Sequence, residues 1–202
     1  MATHQAVICI PDITGFTNFV NKIEIQYAQK IIPVILRSLV SSNILDFEVA
    51  EIQGDAVLFY RTGDPPTYEE ILKQSKMLYD NFRYNLNILD RVYGEKLLPY
   101  NLTKELGLKI VVHYGEVGLA SVVGNTKLYG QDVIIALELL KNNIKQYEYL
   151  LLSDRLLDQI EIKEDAGWGK LEKGSDHYDK LGTIHYRYLS LDPLKQEEIK
   201  HN

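Results

Sequence analysis

The stretch AVICIPDI, residues 6 to 13, is apolar at nearly every position until it reaches a lone carboxylate at Asp12. A strand of this kind is buried throughout, so any fold built on it must cover the sheet with further layers. Directly after Asp12 the chain breaks into Thr14-Gly15-Phe16-Thr17, a glycine turn that opens a helix. A carboxylate at that junction is either a cap for the helix or a ligand for something outside the strand.

The remaining elements alternate in type, without repeats or low-complexity tracts. Thr14 or Thr17 is expected to cap a helix running to about Ser42, kinked or divided at Pro33. Residues 47–52 and 56–60 predict a hairpin turning at QGD, and Thr67 with Glu70 forms a capping box for a long helix ending at Gly94. A second hairpin is expected from residues 108–113 and 116–123, turning at Tyr114-Gly115. The loop GNTKLYG and a helix over 131–145 follow. Strands at 149–152, 169–173 and 185–191, with a short helix capped at Ser153, complete the order. This is the order of an α+β sandwich in which one antiparallel sheet is covered by helices, and the 202 residues suit a single domain.

Composition removes several classes of function. A formal charge of −6 and no Lys/Arg-rich block argue against nucleic acid or an anionic membrane surface as a partner. No run approaches the roughly 20 apolar residues of a spanning helix, and the first residues lack the pattern of a signal peptide, so the expectation is a cytoplasmic protein. The single cysteine, Cys9, excludes an internal disulfide and a Cys-based zinc site. His113 lies in an apolar strand and reads as a hydrogen-bonded core group, while His177 and His185 stand alone. GNTKLYG lacks the P-loop spacing, and no nucleophile, base and orienter of a hydrolase can be assembled from the sequence. The fourteen tyrosines are scattered and read as core-edge residues.

Asp55 lies in AEIQGDAVLFY, at the tip of a hairpin expected beside the first strand. Two carboxylates on adjacent strand ends could share divalent cations, since Mg²⁺ takes one or two carboxylates and completes its shell with phosphate and water. Behind Asp12, residues 13–17 would turn backbone N–H groups toward a triphosphate, with Gly15 permitting close approach. The plainer alternative is that Asp12 caps a helix and Asp55 is a turn residue.

The order of these pieces resembles the class III adenylyl/guanylyl cyclase catalytic domain over about residues 5–191. PDITGFTNF is similar to that family's first metal motif, EIQGDAVLFY to its second, LKIVVHYGEVGLASVVG to the following hairpin, and LYGQDVIIALEL to the start of its transition-state helix. The resemblance implies a ferredoxin-like antiparallel sheet, a nucleoside triphosphate substrate, Mg²⁺ or Mn²⁺ as cofactor, and a head-to-tail homodimer or a heterodimer with a cyclase-like chain. It makes Asp12 and Asp55 the metal-binding, catalytic aspartates and Gly15, Phe16 and Thr17 the phosphate turn. Glu51 falls where the family reads the purine, and a carboxylate there accepts from guanine N1–H and N2–H. Lys127 takes the second base-reading position, either approaching a carbonyl such as guanine O6 or pairing with Glu51 to close an empty pocket. Lys180 matches the family's phosphate-contacting lysine, with a solvated surface lysine as the alternative.

Two departures are chemical. Where the family places an Asn and, four residues on, an Arg, this chain has Ile134 and Glu138. Neither side chain can donate to a phosphate, and Glu138 would repel one. Each lost donor costs on the order of 10²-fold in rate. Lys141 or Asn142, three and four residues past Glu138, are candidate substitutes. Ile134, Ile135, Leu137 and Leu139 suggest a helix buried on most sides. The implied function is therefore a divergent nucleotidyl cyclase, a phosphorus-oxygen lyase making a cyclic nucleotide with GTP favoured by Glu51. The alternatives are a degenerate nucleotide-binding or dimerisation module, and a metal half that a separate chain completes.

Overall fold

The structure, a computed structural model, describes residues 3–163 and 169–191. Its eight strands are β1 (Thr3–Thr14), β2 (Glu48–Gln53), β3 (Ala56–Thr62), β4 (Gly107–Val122), β5 (Asn125–Tyr129), β6 (Tyr149–Ser153), β7 (Glu172–Tyr178) and β8 (Gly182–Ser190). They form one sheet in the order β2-β3-β1-β4-β6-β8-β7, with β5 folded back along the end of β4. All neighbours are antiparallel except β4 and β6, which run parallel. The helices are α1 (Phe16–Lys22), α2 (Ile25–Ser41), α3 (Tyr68–Leu97), α4 (Leu102–Glu105), α5 (Gln131–Glu138) and α6 (Asp154–Leu157).

Both faces of the central strands are covered, which accounts for the unbroken apolar run in β1. Val7, Cys9 and Ile13 face a core built with Phe19 of α1, Ile31 and Ile35 of α2, and Tyr79 and Phe82 of α3. Ala6, Ile8 and Ile10 face the opposite way, onto Val133 and Ala136 of α5. Each large side chain so buried contributes roughly 1.5–3 kcal/mol. Burial pushes the Cys9 thiol up to about 12, which leaves it unreactive.

Several local expectations hold. Thr67 and Glu70 form the reciprocal capping box at the start of α3, with Thr67 N–H donating to Glu70 at 2.8 Å and Glu70 N–H to Thr67 Oγ1 at 3.3 Å. Ser153 caps α6 by accepting from Leu156 N–H at 3.3 Å.

Others change. The helix expected to run to Ser42 is two helices, divided at Ile23 and Glu24 rather than at Pro33. Pro33 sits inside α2 with both it and Gln29 exposed, so the carbonyl left without a donor lies on the water side. Neither Thr14 nor Thr17 caps α1; Gly15 precedes it at φ 85 with no side-chain cap. Helix α3 passes Gly94 and reaches Leu97, whose burial offsets the glycine's helix penalty of about 1 kcal/mol. Strand β4 runs straight through Tyr114-Gly115; the turn comes at Val123 and Gly124, at φ 51 and 80, so most of the expected loop GNTKLYG is β5. Gly115 is needed for close packing, because a Cβ there would overlap the Asp132 carboxylate. Helix α5 stops at Glu138, and a single 3-10 turn over Leu139–Lys141 replaces its expected extension to 145. The strand expected at 169–173 starts later and runs further, to Tyr178.

Gly15 combines a left-handed backbone with the close approach of the Glu105 carbonyl oxygen and the Tyr147 hydroxyl to where a Cβ would stand. Gly54, at φ 64, has open space around it. Gly15→Ala is therefore expected to cost about 2 kcal/mol or more, and Gly54→Ala only the positive-φ penalty of about 1 kcal/mol. Denaturant unfolding of the two variants checks this, and equal losses would contradict it.

Candidate functional site

Asp12 lies near the end of β1, paired in register with Ala56 on one side and Lys109 on the other. Asp55 occupies the β2–β3 turn, and its carbonyl accepts a hydrogen bond from Ile13 N–H at 3.3 Å, which ties the turn to the end of β1. The two carboxyl groups lie close enough for the charge of Asp12 to act on Asp55. Burial first, and then the charge of Asp12, push the Asp55 carboxyl up to about 6, against the opposing pull of its own backbone N–H and of Lys109.

Lys109 Nζ stands 2.7 Å from Asp12 Oδ2 and donates to the Leu140 carbonyl at 3.1 Å. Asp12, Asp55 and Lys109 open together onto a cavity of 330 Å³ whose remaining wall is residues 13–18. Gly15, Phe16 and Thr17 are therefore in the same wall as the carboxylates, and the first-turn N–H groups of α1 have no intrahelical partner. The hydroxyl oxygen of Thr14, in the same wall, is buried with no hydrogen-bond partner. Among the described residues no group of three or more His, Cys, Asp or Glu side chains is placed to hold a metal ion. A divalent cation at this end of β1 would thus be held by Asp12 and Asp55 and by oxygens that the protein does not supply.

The other expected site residues fall into two further groups. Glu51 Oε2 and Lys127 Nζ, on β2 and β5, form an ion pair at 2.8 Å with both side chains about two-fifths exposed. Of the two readings of Lys127, the free chain adopts the pairing with Glu51. Lys180 lies in the turn between β7 and β8 and lines a cavity of 440 Å³ with Ile134, Glu138, His177 and Tyr178. Ile134 is 53% exposed, so α5 is not buried on most sides, and its outer face carries both departures from the resemblance. The candidate substitutes are engaged: Lys141 Nζ pairs with Glu138 at 2.8 Å, and Asn142 donates to the Leu139 carbonyl at 2.7 Å and the Tyr149 hydroxyl at 2.8 Å.

Sequence reasoning missed two arrangements. Lys109 interrupts an apolar strand as Asp12 does, and that shared oddity was the available signal; the register that opposes them was not. The second is a line of Ser153, His113 and Asp132, residues far apart in the sequence. Ser153 Oγ lies 2.8 Å from His113 Nδ1, and His113 Nε2 lies 3.1 Å from Asp132 Oδ1. Ser153 and His113 are at most 1% exposed, and the hydroxyl already caps α6, so no substrate can reach it. The set is structural. Burial alone would raise the Asp132 carboxyl, but His113, the Glu116 N–H at 2.7 Å and Arg155 outweigh it and hold the group below its usual range.

The Asp55 shift has a testable sign. Between about pH 4 and pH 6 the native carboxyl holds a proton that the unfolded chain has released, so metal-free stability falls as pH rises through that window. With Asp55 partly exposed, the loss is discounted to about 1 kcal/mol. Asp55→Asn should flatten this slope and stabilise the metal-free protein above pH 6, as measured by denaturant midpoints in EDTA. A variant that retains the slope would contradict it.

Comparison with known proteins places the fold. The catalytic core of a rhodopsin-guanylyl cyclase with converted specificity, in complex with ATPαS, superposes with a TM-score of 0.65 at 14% identity, covering 94% of this chain and 97% of that one. The adenylyl cyclase CyaB from P. aeruginosa superposes with a TM-score of 0.59 at 14% identity, covering 93% and 94%. The fold is thus that of class III cyclase catalytic domains. A Mycobacterium tuberculosis protein, "Uncharacterized protein Rv2561/Rv2562", is 28% identical over 145 residues, 71% of this chain and 66% of that protein, so the match spans just under two thirds of the relative. A family model described as "Protein of unknown function (DUF2652)" matches residues 32–149. That span includes Glu51, Asp55, Lys109, Lys127, Ile134 and Glu138, but neither Asp12 nor Lys180.

Proposed function

The chain belongs to the DUF2652 family, described as proteins of unknown function, and we propose that it binds a nucleoside triphosphate with Mg²⁺ or Mn²⁺ held by Asp12 and Asp55. The observation that carries this reading is the convergence of the two carboxylates, distant along the chain, at the open end of β1 beside a glycine turn. The fit is chemical. Burial and then the charge of Asp12 raise Asp55, so even with Lys109 beside Asp12 the pair retains net negative charge for a cation, and the wall facing it offers backbone N–H groups suited to phosphate oxygens.

A divalent cation bound there would neutralise phosphate charge and polarise a phosphoryl oxygen. Asp12 and Asp55 hold it, Gly15 lets the backbone approach, and Phe16 and Thr17 orient the phosphates through their N–H groups. On the same polypeptide, Glu51 accepts from guanine N1–H and N2–H once the partly exposed pair with Lys127 opens. Pairs that exposed are worth about 0.2–1 kcal/mol, so opening is cheap. Two copies arranged head to tail would set the metal half of one against the α5 half of the other.

That α5 half argues against efficient turnover in a homodimer. Ile134 offers no hydrogen bond, and Glu138 places a carboxylate, already paired with Lys141, where developing phosphate charge needs a donor. The principal reading is accordingly a nucleotide-binding, dimerising module. A second reading, formation of a cyclic nucleotide with release of pyrophosphate, has one observation in its favour: Lys180 lines the same cavity as Ile134 and Glu138 and supplies a cation there. A cyclase-like partner chain providing the missing donors would serve the same end.

The test is thermal unfolding of wild type and Asp55→Asn with GTP, ATP, UTP or CTP, in Mn²⁺ and in EDTA, with assay for cyclic product. A triphosphate at a hundred times its Kd should stabilise the wild type by about 2.7 kcal/mol in Mn²⁺ only, and the variant should lose the effect. GTP is expected to act most strongly. If no triphosphate stabilises the folded wild type with metal, the reading fails. Cyclic product that disappears in Asp55→Asn would establish the second reading in place of the first.

A further inference from the structure

Lys109 is the one charged group in the carboxylate cavity that the proposed function leaves without a task. We propose that it is an internal counter-ion that occupies the carboxylate pair in the free protein, so that a divalent cation and a triphosphate enter only together. The inference rests on the nucleotide reading above and adds how that site is gated.

Lys109 is held on two sides. Its ammonium is 2.7 Å from Asp12 Oδ2 and 3.1 Å from the Leu140 carbonyl, which the 3-10 turn after α5 presents from above the sheet. The side chains of Lys109 and Asp12 are only 21% and 13% exposed, so water screens the contact poorly. Backbone register maintains it, since residues 12 and 109 are directly opposed in the β1–β4 ladder. The charge balance then selects what can enter. Two carboxylates and one ammonium leave a net single negative charge, and a divalent cation arriving alone must share Asp12 with an ammonium already bound there. A triphosphate arriving alone meets both carboxylates. Arriving together they remove both obstacles, because the phosphate oxygens in the same cavity give Lys109 Nζ a new acceptor while the cation takes its place on Asp12. Lysine suits this exchange, being a compact charge on a flexible stem that can change partners without leaving the site. Lys109 thereby adds to the positive coupling that direct phosphate coordination of the metal already supplies, each ligand raising the affinity of the other by the same factor.

The experiment measures Mn²⁺ affinity by titration calorimetry on the full chain, with and without 3′-deoxy-GTP, which lacks the attacking oxygen. It compares wild type, Lys109→Met and Lys109→Arg, each checked for folding by circular dichroism, with Lys109→Gln as a second neutral variant should the methionine form not fold. In wild type the nucleotide should raise Mn²⁺ affinity about tenfold or more. Either neutral variant should bind Mn²⁺ alone about tenfold more tightly than wild type, with the coupling lowered by about the same factor and the remainder due to direct contact of phosphate oxygens with the metal. Lys109→Arg, which keeps the charge, should retain coupling. If wild type shows coupled binding but the neutral variants bind Mn²⁺ alone no more tightly, or keep the full coupling, this inference falls and the nucleotide reading stands. If no folded form binds Mn²⁺ with 3′-deoxy-GTP, both fall.

Discussion

From Thr3 to Thr14 every residue of β1 is opposed by a residue of β4, while β3 lines the other edge as far as the rung joining Asp12 to Ala56. This ladder decides what can meet at the open end of the sheet. Asp12 gains Lys109 from one neighbour and, one residue back from Ala56, Asp55 from the other. A shift by one residue would turn Asp12 into the α2–α3 core, where an unpaired carboxylate is costly, and bring Ile13 out to the α5 side. The apolar alternation of β1, with Val7 and Cys9 on one side and Ile8 and Ile10 on the other, locks the register that assembles the site.

Much of this was legible because the signals were local. A strand that stays apolar until it reaches a carboxylate and a glycine states its own end, and the box at Thr67 and Glu70 depends only on residues three apart. The departures that bear on the site share one cause. Gly115 reads equally as a turn or as a close packing contact, and only the distant Asp132 carboxylate decides between them. Lys109 matters through its rung, and the line of Ser153, His113 and Asp132 spans forty residues of sequence. Spacing along the chain carries no information about such encounters. Ile134 departs from expectation for a related reason: an isoleucine-rich stretch suggests burial, but α5 covers the sheet with one face and leaves Ile134 exposed.

Three ion pairs lie on the α5 side: Lys109 with Asp12, Lys127 with Glu51, and Lys141 with Glu138. The three differ in depth. The first is sheltered from water, whereas the other two are largely solvated and worth little individually. An incoming ligand could part the shallow pairs at small cost, and only the sheltered one imposes a real condition on entry. In the free chain these three cations are therefore held on the chain's own carboxylates.

The buried line from Ser153 through His113 to Asp132, closed by Arg155, fastens three separate elements: β4, the start of α5 and the mouth of α6. Sliding or tilting α5 would strand a carboxylate in a dry interior, so the helix behaves as a bolted plate. A load placed on the exposed face of α5 would therefore be borne by β4 and α6 together, rather than absorbed by the helix alone.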